Sequence, residues 1–468
     1  MSNYFDKSLK IFSLSIIFII CITGVYSARG LYADGAFWLV EMLPRNGFYI
    51  FDPHREFAQR IVQLPIALAI WFGILDLNFL IRLQSFCFIG IPLIFWVGAL
   101  CLHFRSNLFW FFLIAFTVSF LRTNFFAVSE FNSSYGMTAF CAAILMRQHL
   151  KVNLALLMLL TSILLIYTYE STLLSGLFLI ALTLLRLFKV SSDTVAIRIF
   201  LKICLIPFII SVYVGSRSVF HERTFDGAST ANLGAFTEVH FLFLLILPFL
   251  IFILSCDYFK RFKYIISIVS CFLVFTYLYY SFRLDNSNIS YGYLSYAYRA
   301  LCCFLLLYIL SLISIFRFWP ELIKSTPIIS SNLFLSIVTV LFFSSMSYMM
   351  LYHTFGYYNW IKGFEKQAIS LKINTPIDKT SINTNHGLTY GYNWGWGNPS
   401  LSILLRGNAE AIVLNSSRIH IGLSIDDRGD LPGDFENIRE NDLISQKNQL
   451  ISFTYRLKPF VKNGLLFP

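Results

Sequence analysis

Residues 11–28 read IFSLSIIFIICITGVYSA, and residues 29–60 read RGLYADGAFWLVEMLPRNGFYIFDPHREFAQR. The first stretch has the length and apolarity of one membrane-crossing helix, for which about 20 apolar residues are needed. The second would be short and bland if it merely joined two such helices. It instead carries Asp34, Glu41, Asp52, His54, Arg55, Glu56 and Arg60 among Phe, Tyr and Trp. This polar, aromatic stretch reads as the lip of an active site where the chain leaves the bilayer.

Similar apolar runs recur through most of the chain. Of its 468 residues, 57% are hydrophobic and only 13% charged, with a mean hydropathy of +0.67. A soluble domain of that size does not bury so much apolar surface, so lipid is the expected solvent. The net charge of +11 sits in short loops between apolar runs, as the positive-inside bias demands. No nucleic-acid partner is expected. The nine cysteines lie in or beside apolar runs, without CxxC spacing or a Cys/His cluster. They read as apolar packers rather than as disulfides or zinc ligands. Lys7 and Lys10 precede the first apolar run, which lacks an A-x-A cleavage site. A retained signal-anchor helix is expected.

Twelve apolar runs are visible, near 11–28, 61–75, 81–102, 107–121, 136–147, 152–168, 171–187, 198–215, 237–256, 264–281, 298–316 and 331–351. Four connectors are strongly basic: 147–151, 186–202, 260–263 and 317–324. All four should face the cytoplasm. Counting forward from Lys7 and Lys10 and back from 147–151 agrees only if one of the first three runs does not cross. Run 61–75 is short of the required length and holds Gln63 and Pro65, so it reads as a juxtamembrane or re-entrant helix on the outer face. Eleven spans remain, and the odd number places 352–468 outside. That tail is rich in Asn, Asp, Gly, Ser and Thr, with strand-like pieces at 411–414 and 419–423. The expectation is an all-α polytopic membrane domain over 1–351 and a small extracytoplasmic α/β domain over 352–468.

On this topology the outer face collects the ionisable residues of the first loop, Arg122 and Glu130, Glu170, then Arg217, His221, Glu222, Arg223 and Asp226, and Arg283, Asp285 and Arg299. Charge at the mouth of a helical bundle is expensive and tends to be functional. Asp34, Glu130 and Glu170 lie closest to apolar runs. The layout resembles the GT-C superfamily of polyprenyl-phosphate-sugar-dependent glycosyltransferases, such as protein O-mannosyltransferases and aminoarabinose transferases. The matching residues are Ala33-Asp34-Gly35 past the first span, Phe51-Asp52-Pro53-His54-Arg55, and Gln63-Leu64-Pro65 leading towards Arg82, with Glu130 as a second acidic site. The chain departs from the family's Asp-Glu pair and Pro-Pro-Leu, having Asp34-Gly35 and Leu64-Pro65-Ile66. The resemblance implies a lipid-linked sugar donor, a glycan or lipid acceptor and a membrane-embedded glycosyltransferase.

The chemistry is coherent in its own terms. An acceptor hydroxyl is a weak nucleophile and needs a general base, the role assigned to Asp34. A polyprenyl phosphate already leaves well and needs only cationic stabilisation, best from arginine. The candidates are Arg55, Arg60, Arg217, Arg223 and Arg299. Glu130 would position the acceptor or assist the base. Glu170 would bind substrate or anchor two helices, and His54 would bind phosphate or serve as a satisfied hydrogen-bonding residue. Asp52 joins them as a substrate contact. No cofactor or metal site is indicated. Asp426-Asp427-Arg428-Gly429-Asp430 fits no EF-hand spacing and reads as a solvated turn. Trp394 and Trp396 would stack on sugar or anchor at the interface. Phe-, Ile-, Asn- and Lys-rich composition fits a bacterial inner membrane, with the active site on the periplasmic face. Rival readings are an O-antigen polymerase or ligase, a lipid-linked sugar transporter or flippase, and a non-catalytic envelope assembly protein.

Overall fold

The computed structural model describes residues 2–32, 34–45, 47–50, 53–121, 130–219, 296–319 and 333–370, with positions 246, 401, 404, 405 and 466. Its regular elements among these residues are helical. They are α1 (Ser2–Tyr26), α2 (Asp34–Arg45), α3 (Glu56–Trp71), α4 (Leu77–Leu102), α5 (Leu108–Phe116), α6 (Glu130–Leu145), α7 (Val152–Leu164), α8 (Thr172–Lys189), α9 (Val195–Val219), α10 (Tyr296–Phe318) and α11 (Leu333–Ser370).

Five stretches are long and apolar enough to cross a membrane: Tyr4–Tyr26, Leu77–Leu102, Thr172–Lys189, Val195–Ser218 and Leu335–Lys366. This is the pattern of a multi-pass membrane protein. Their outward faces carry large apolar side chains, such as Phe18 on α1 and Ile206 and Ile209 on α9, all more than half exposed. Exposed apolar surface on that scale calls for lipid. The expected total of eleven spans is not reached among the described residues, where Leu108–Leu121, Val152–Leu164 and Cys302–Ile315 form shorter apolar helices. Runs 237–256 and 264–281 lie outside the described residues apart from position 246, and so do the strand-like pieces at 411–414 and 419–423. The expected boundary at 351/352 falls inside α11.

Two features differ from the sequence reading. The first loop is not open chain, because α2 occupies Asp34–Arg45, with Glu41 accepting from Arg45 at 2.9 Å one turn on. Helix α6 starts at Glu130, not near 136, so Glu130 opens a helix instead of sitting in a loop. The first turns of α6 hold Asn132, Ser133 and Ser134, all buried. An apolar run marks only what lipid would accept, whereas protein packing tolerates these polar residues.

Helix α3 has 16 residues, or about 24 Å at 1.5 Å per residue, less than the hydrocarbon thickness of about 30 Å. It stops where Gly73 takes a φ of 79°. The Gly73 and Ile74 amides donate back to Ile70 and Ala69 at 2.9 and 3.0 Å. A residue without Cβ enters that left-handed conformation at no steric cost.

The chain forms two compact units. The first comprises residues 1–22, 50–60 and 90–352, and the second 23–49, 61–89 and 353–468. The first has an aromatic core around Trp96, Phe109, Phe111, Phe112 and Phe116, all nearly inaccessible. One end of this unit is held by Arg186, which is fully buried. Its Nε and Nη2 donate to Asp193 at 2.8 and 2.7 Å, and its Nη1 donates to the carbonyls of Leu145 and Arg147, both at 2.7 Å. The guanidinium thereby ties the last carbonyls of α6 to the end of α8. In the second unit, Trp38 of α2 packs on Phe88 of α4 at 5.5 Å between ring centroids. The buried Glu365 of α11 accepts from the Leu466 amide at 2.7 Å, and Arg82 donates to the Leu466 carbonyl at 3.1 Å.

Removing one partner of a buried ion pair strands the other charge. Asp193→Ala should therefore cost about 3–5 kcal/mol, read as a lower midpoint of thermal unfolding in detergent. An unchanged midpoint would refute the role given to Arg186.

Candidate functional site

The site begins with the backbone that starts α3. The first amides of a helix have no intrahelical acceptor. Here the Phe57 and Ala58 amides donate to the Tyr167 carbonyl at 2.9 and 3.2 Å. The Phe57 and Tyr167 rings meet edge-on at 5.3 Å. Tyr167 lies in the turn between α7 and α8, so this cap brings the short 3-10 turn Pro53–Arg55 against residues 167–171.

Arg55 then pairs with Glu170. Its Nε donates to Glu170 Oε1 at 2.9 Å, and its Nη2 donates to the same oxygen. The guanidinium also lies over the Tyr169 ring at 4.9 Å. Ser218, on the last turn of α9, donates to Glu170 Oε1 at 3.3 Å. Both side chains are largely withdrawn from solvent, at 12% and 8% exposure. Glu170 Oε1 thus collects three donor atoms, while Oε2 is buried with no hydrogen-bond partner among the described residues. Buried carboxylate oxygens are normally satisfied. Oε2 is an acceptor available to a hydroxyl or a water.

Glu130 lies within electrostatic reach of Arg55. It accepts from Gln59 Nε2 at 3.0 Å, and both residues are buried. Phe131 and Tyr169 keep α6 against the same turn, with centroids 5.8 Å apart. Burial pushes the Glu130 carboxyl above the ordinary carboxylate value. The Arg55 charge and the Gln59 hydrogen bond pull it down, and the Glu170 charge pushes it up. Two carboxyls therefore share one guanidinium, and desolvation favours the neutral form of Glu130.

Of the residues expected to act together, Arg55, Glu130 and Glu170 converge within the first unit. His54 sits half-buried in the same turn as Arg55. Arg60 is exposed and its Nε pairs with Glu56 at 2.7 Å one turn earlier, a surface contact of a kind worth a few tenths of a kcal/mol. Arg217 is exposed at the end of α9, its guanidinium 6.0 Å from the Tyr213 ring. Arg299 belongs to the first turn of α10, but its side chain lies outside the described residues. Asp52 and Arg223 also lie outside them.

Asp34 is the first residue of α2, in the second unit. Its side chain lies outside the described residues, but the backbone on either side of it is well held. Gln84 Nε2 donates to the Gly30 carbonyl at 2.9 Å and to the Gly35 carbonyl, and the Gly30 amide donates to Ser85 Oγ at 3.0 Å. A Cβ on Gly35 would lie 1.8 Å from the Gly30 carbonyl oxygen, so the approach requires glycine. Among the described residues no group of three or more His, Cys, Asp and Glu gathers as a metal site.

Sequence reasoning missed Gln59 and Ser218. Gln59 follows Arg55 by four residues, a spacing that places both on one helical face, and this was a usable signal. Ser218 gave none, because its role depends on how α9 packs.

A carboxyl whose folded-state value is raised makes folding less favourable as pH climbs from the ordinary carboxylate range through the raised value. Glu130→Gln should remove that loss. The variant's unfolding midpoint should exceed the wild type's at neutral pH and converge with it in acid. An identical pH profile for the two proteins would refute the burial argument.

Comparison with known proteins found nothing similar: no family model, no curated protein and no solved structure matches the chain.

Proposed function

We propose that the protein is a membrane glycosyltransferase that moves a sugar from a polyprenyl-phosphate donor to an envelope glycan or lipid, as in O-antigen or lipopolysaccharide modification. In this reading it works on the periplasmic face of a bacterial inner membrane, from a domain of eleven spans. The observation that carries it is the Arg55–Glu130–Glu170 cluster: one guanidinium, two carboxyls and an unsatisfied carboxylate oxygen, withdrawn from water. In a chain with only 13% charged residues, such burial is costly and points to use.

The proposed step is a single displacement. The acceptor oxygen bonds to the anomeric carbon as the bond from that carbon to the phosphate oxygen breaks. The hydroxyl proton passes to a general base, the role that the sequence reading gives to Asp34, and polyprenyl phosphate departs with its charge stabilised by arginine. Arg55 is suited to that charge because its guanidinium is permanently cationic and stacked on Tyr169. Glu170 already neutralises it, so the phosphate must share or displace this counter-ion. Glu130, whose neutral form burial favours, suits a hydrogen-bonding role towards a sugar or acceptor hydroxyl. The Asp34 and Arg55 assignments are separate claims and need separate variants.

The test is donor consumption by the purified full chain in detergent, with a defined polyprenyl-phosphate sugar. Asp34→Asn should lower turnover by at least about 100-fold, the lower range for loss of a general base, with folding retained. Normal transfer by that variant would sink the base assignment, and retention of anomeric configuration would sink the single displacement. Movement of intact donor across a vesicle bilayer without cleavage would make the protein a lipid-linked sugar transporter instead.

A further inference from the structure

Three basic connectors that are remote in sequence meet at the C-terminal end of α6. Arg186 reaches the Leu145 and Arg147 carbonyls as described. Arg317, at the end of α10, donates from Nε to the Met146 carbonyl at 2.9 Å and from Nη2 to the Arg147 carbonyl at 3.5 Å. Arg147 donates in turn to the Leu102 carbonyl at 3.1 Å. Lys189 stands 5.6 Å from the Trp319 ring centroid.

Among the described residues the charge at this end does not balance. Arg147, Arg186, Lys189 and Arg317 gather there. Asp193 is the carboxylate seen to pair with them among the described residues. The C-terminus of α6 offsets about half a charge more. The neighbouring cations add to the effects of burial. Burial, then the Arg186 charge, holds Arg317 below the usual arginine value. Burial, opposed by the Ala143 carbonyl and assisted by the Arg147 and Arg317 charges, lowers His103 to about 4.

Arg186 is consumed by its own contacts. Arg147 and Arg317 remain partly exposed and Lys189 is exposed. Beside Lys189, Phe188 is 84% exposed, and Trp319 is half-buried. Cations, an indole and a bare apolar ring at the ends of apolar helices match a headgroup above its acyl chains. A soluble anion has no use for the exposed Phe188.

We propose that this end of the first unit, built from Arg147, Lys189 and Arg317 with Phe188 and Trp319, binds the phosphate of an anionic phospholipid headgroup. The site is independent of the Arg55 cluster and of the glycosyltransferase reading. Guanidinium donors take the phosphate oxygens, and Phe188 lies along the first methylenes of the acyl chains.

The test is native mass spectrometry of the full chain, delipidated in detergent and offered phosphatidylglycerol and phosphatidylcholine in equal amounts. Wild type should retain phosphatidylglycerol in preference. Lys189→Gln, which removes a charge without removing a carbonyl cap, should weaken that retention about fivefold. Arg317→Gln should weaken it at least as much, with circular dichroism confirming retained helix. Equal retention of the two lipids by wild type overturns the proposal, as does wild-type preference in a folded Lys189→Gln variant. Displacement of phosphatidylglycerol by millimolar inorganic phosphate would mark a soluble-anion site and overturn the lipid assignment.

Discussion

Arg186 has no exposure to solvent, yet its charge cannot be discarded, because arginine stays protonated even when buried. Everything around it follows from that constraint. Asp193 supplies the counter-charge through a bidentate pair, and the free carbonyls at the end of α6 supply the remaining acceptors. One guanidinium thus solves two problems: its own desolvation, and the carbonyls that every helix leaves orphaned at its C-terminus. Since those carbonyls belong to the end of α6 and the guanidinium to α8, the solution also ties two helices together.

The Arg55 cluster shows the same principle left incomplete. Arg55 and Glu170 form a buried pair, but they are not closed in on themselves as Arg186 and Asp193 are. One oxygen of Glu170 takes three donor atoms and the other takes none among the described residues. A second carboxyl, Glu130, draws on the same guanidinium. A purely structural bridge gains nothing from an idle oxygen and a surplus acid. A binding site gains both an acceptor and a counter-ion that can be shared. This contrast between the two buried pairs separates the anchor from the candidate site.

Much of the outline was legible before the structure. Apolar runs announced α1, α4, α8, α9 and α11, because a lipid-facing helix must be apolar over its whole length. Gln63 and Pro65, with a run too short to cross, announced the limited reach of α3. Arg55, Glu130 and Glu170 stood out because charge is rare in this chain and theirs lay near apolar runs. The start of α6 and the helical nature of Asp34–Arg45 were not legible. In both places polar residues are sheltered by protein contacts, which local hydropathy does not register.

By itself the sequence determined that the membrane part of the chain is helical, that several helices are apolar enough for a membrane, and which few ionisable residues sit at their ends. Hydropathy and charge are properties of single residues and short runs, so they survive without a fold. Tertiary structure alone decided the pairings: Arg55 with Glu170 across 115 positions, Gln59 with Glu130, and Arg317 with the carbonyls that end α6. Those choices depend on which helix ends are brought together in space. Desolvation then makes each pairing compulsory, since a charge moved out of water must meet its partner wherever packing has put it.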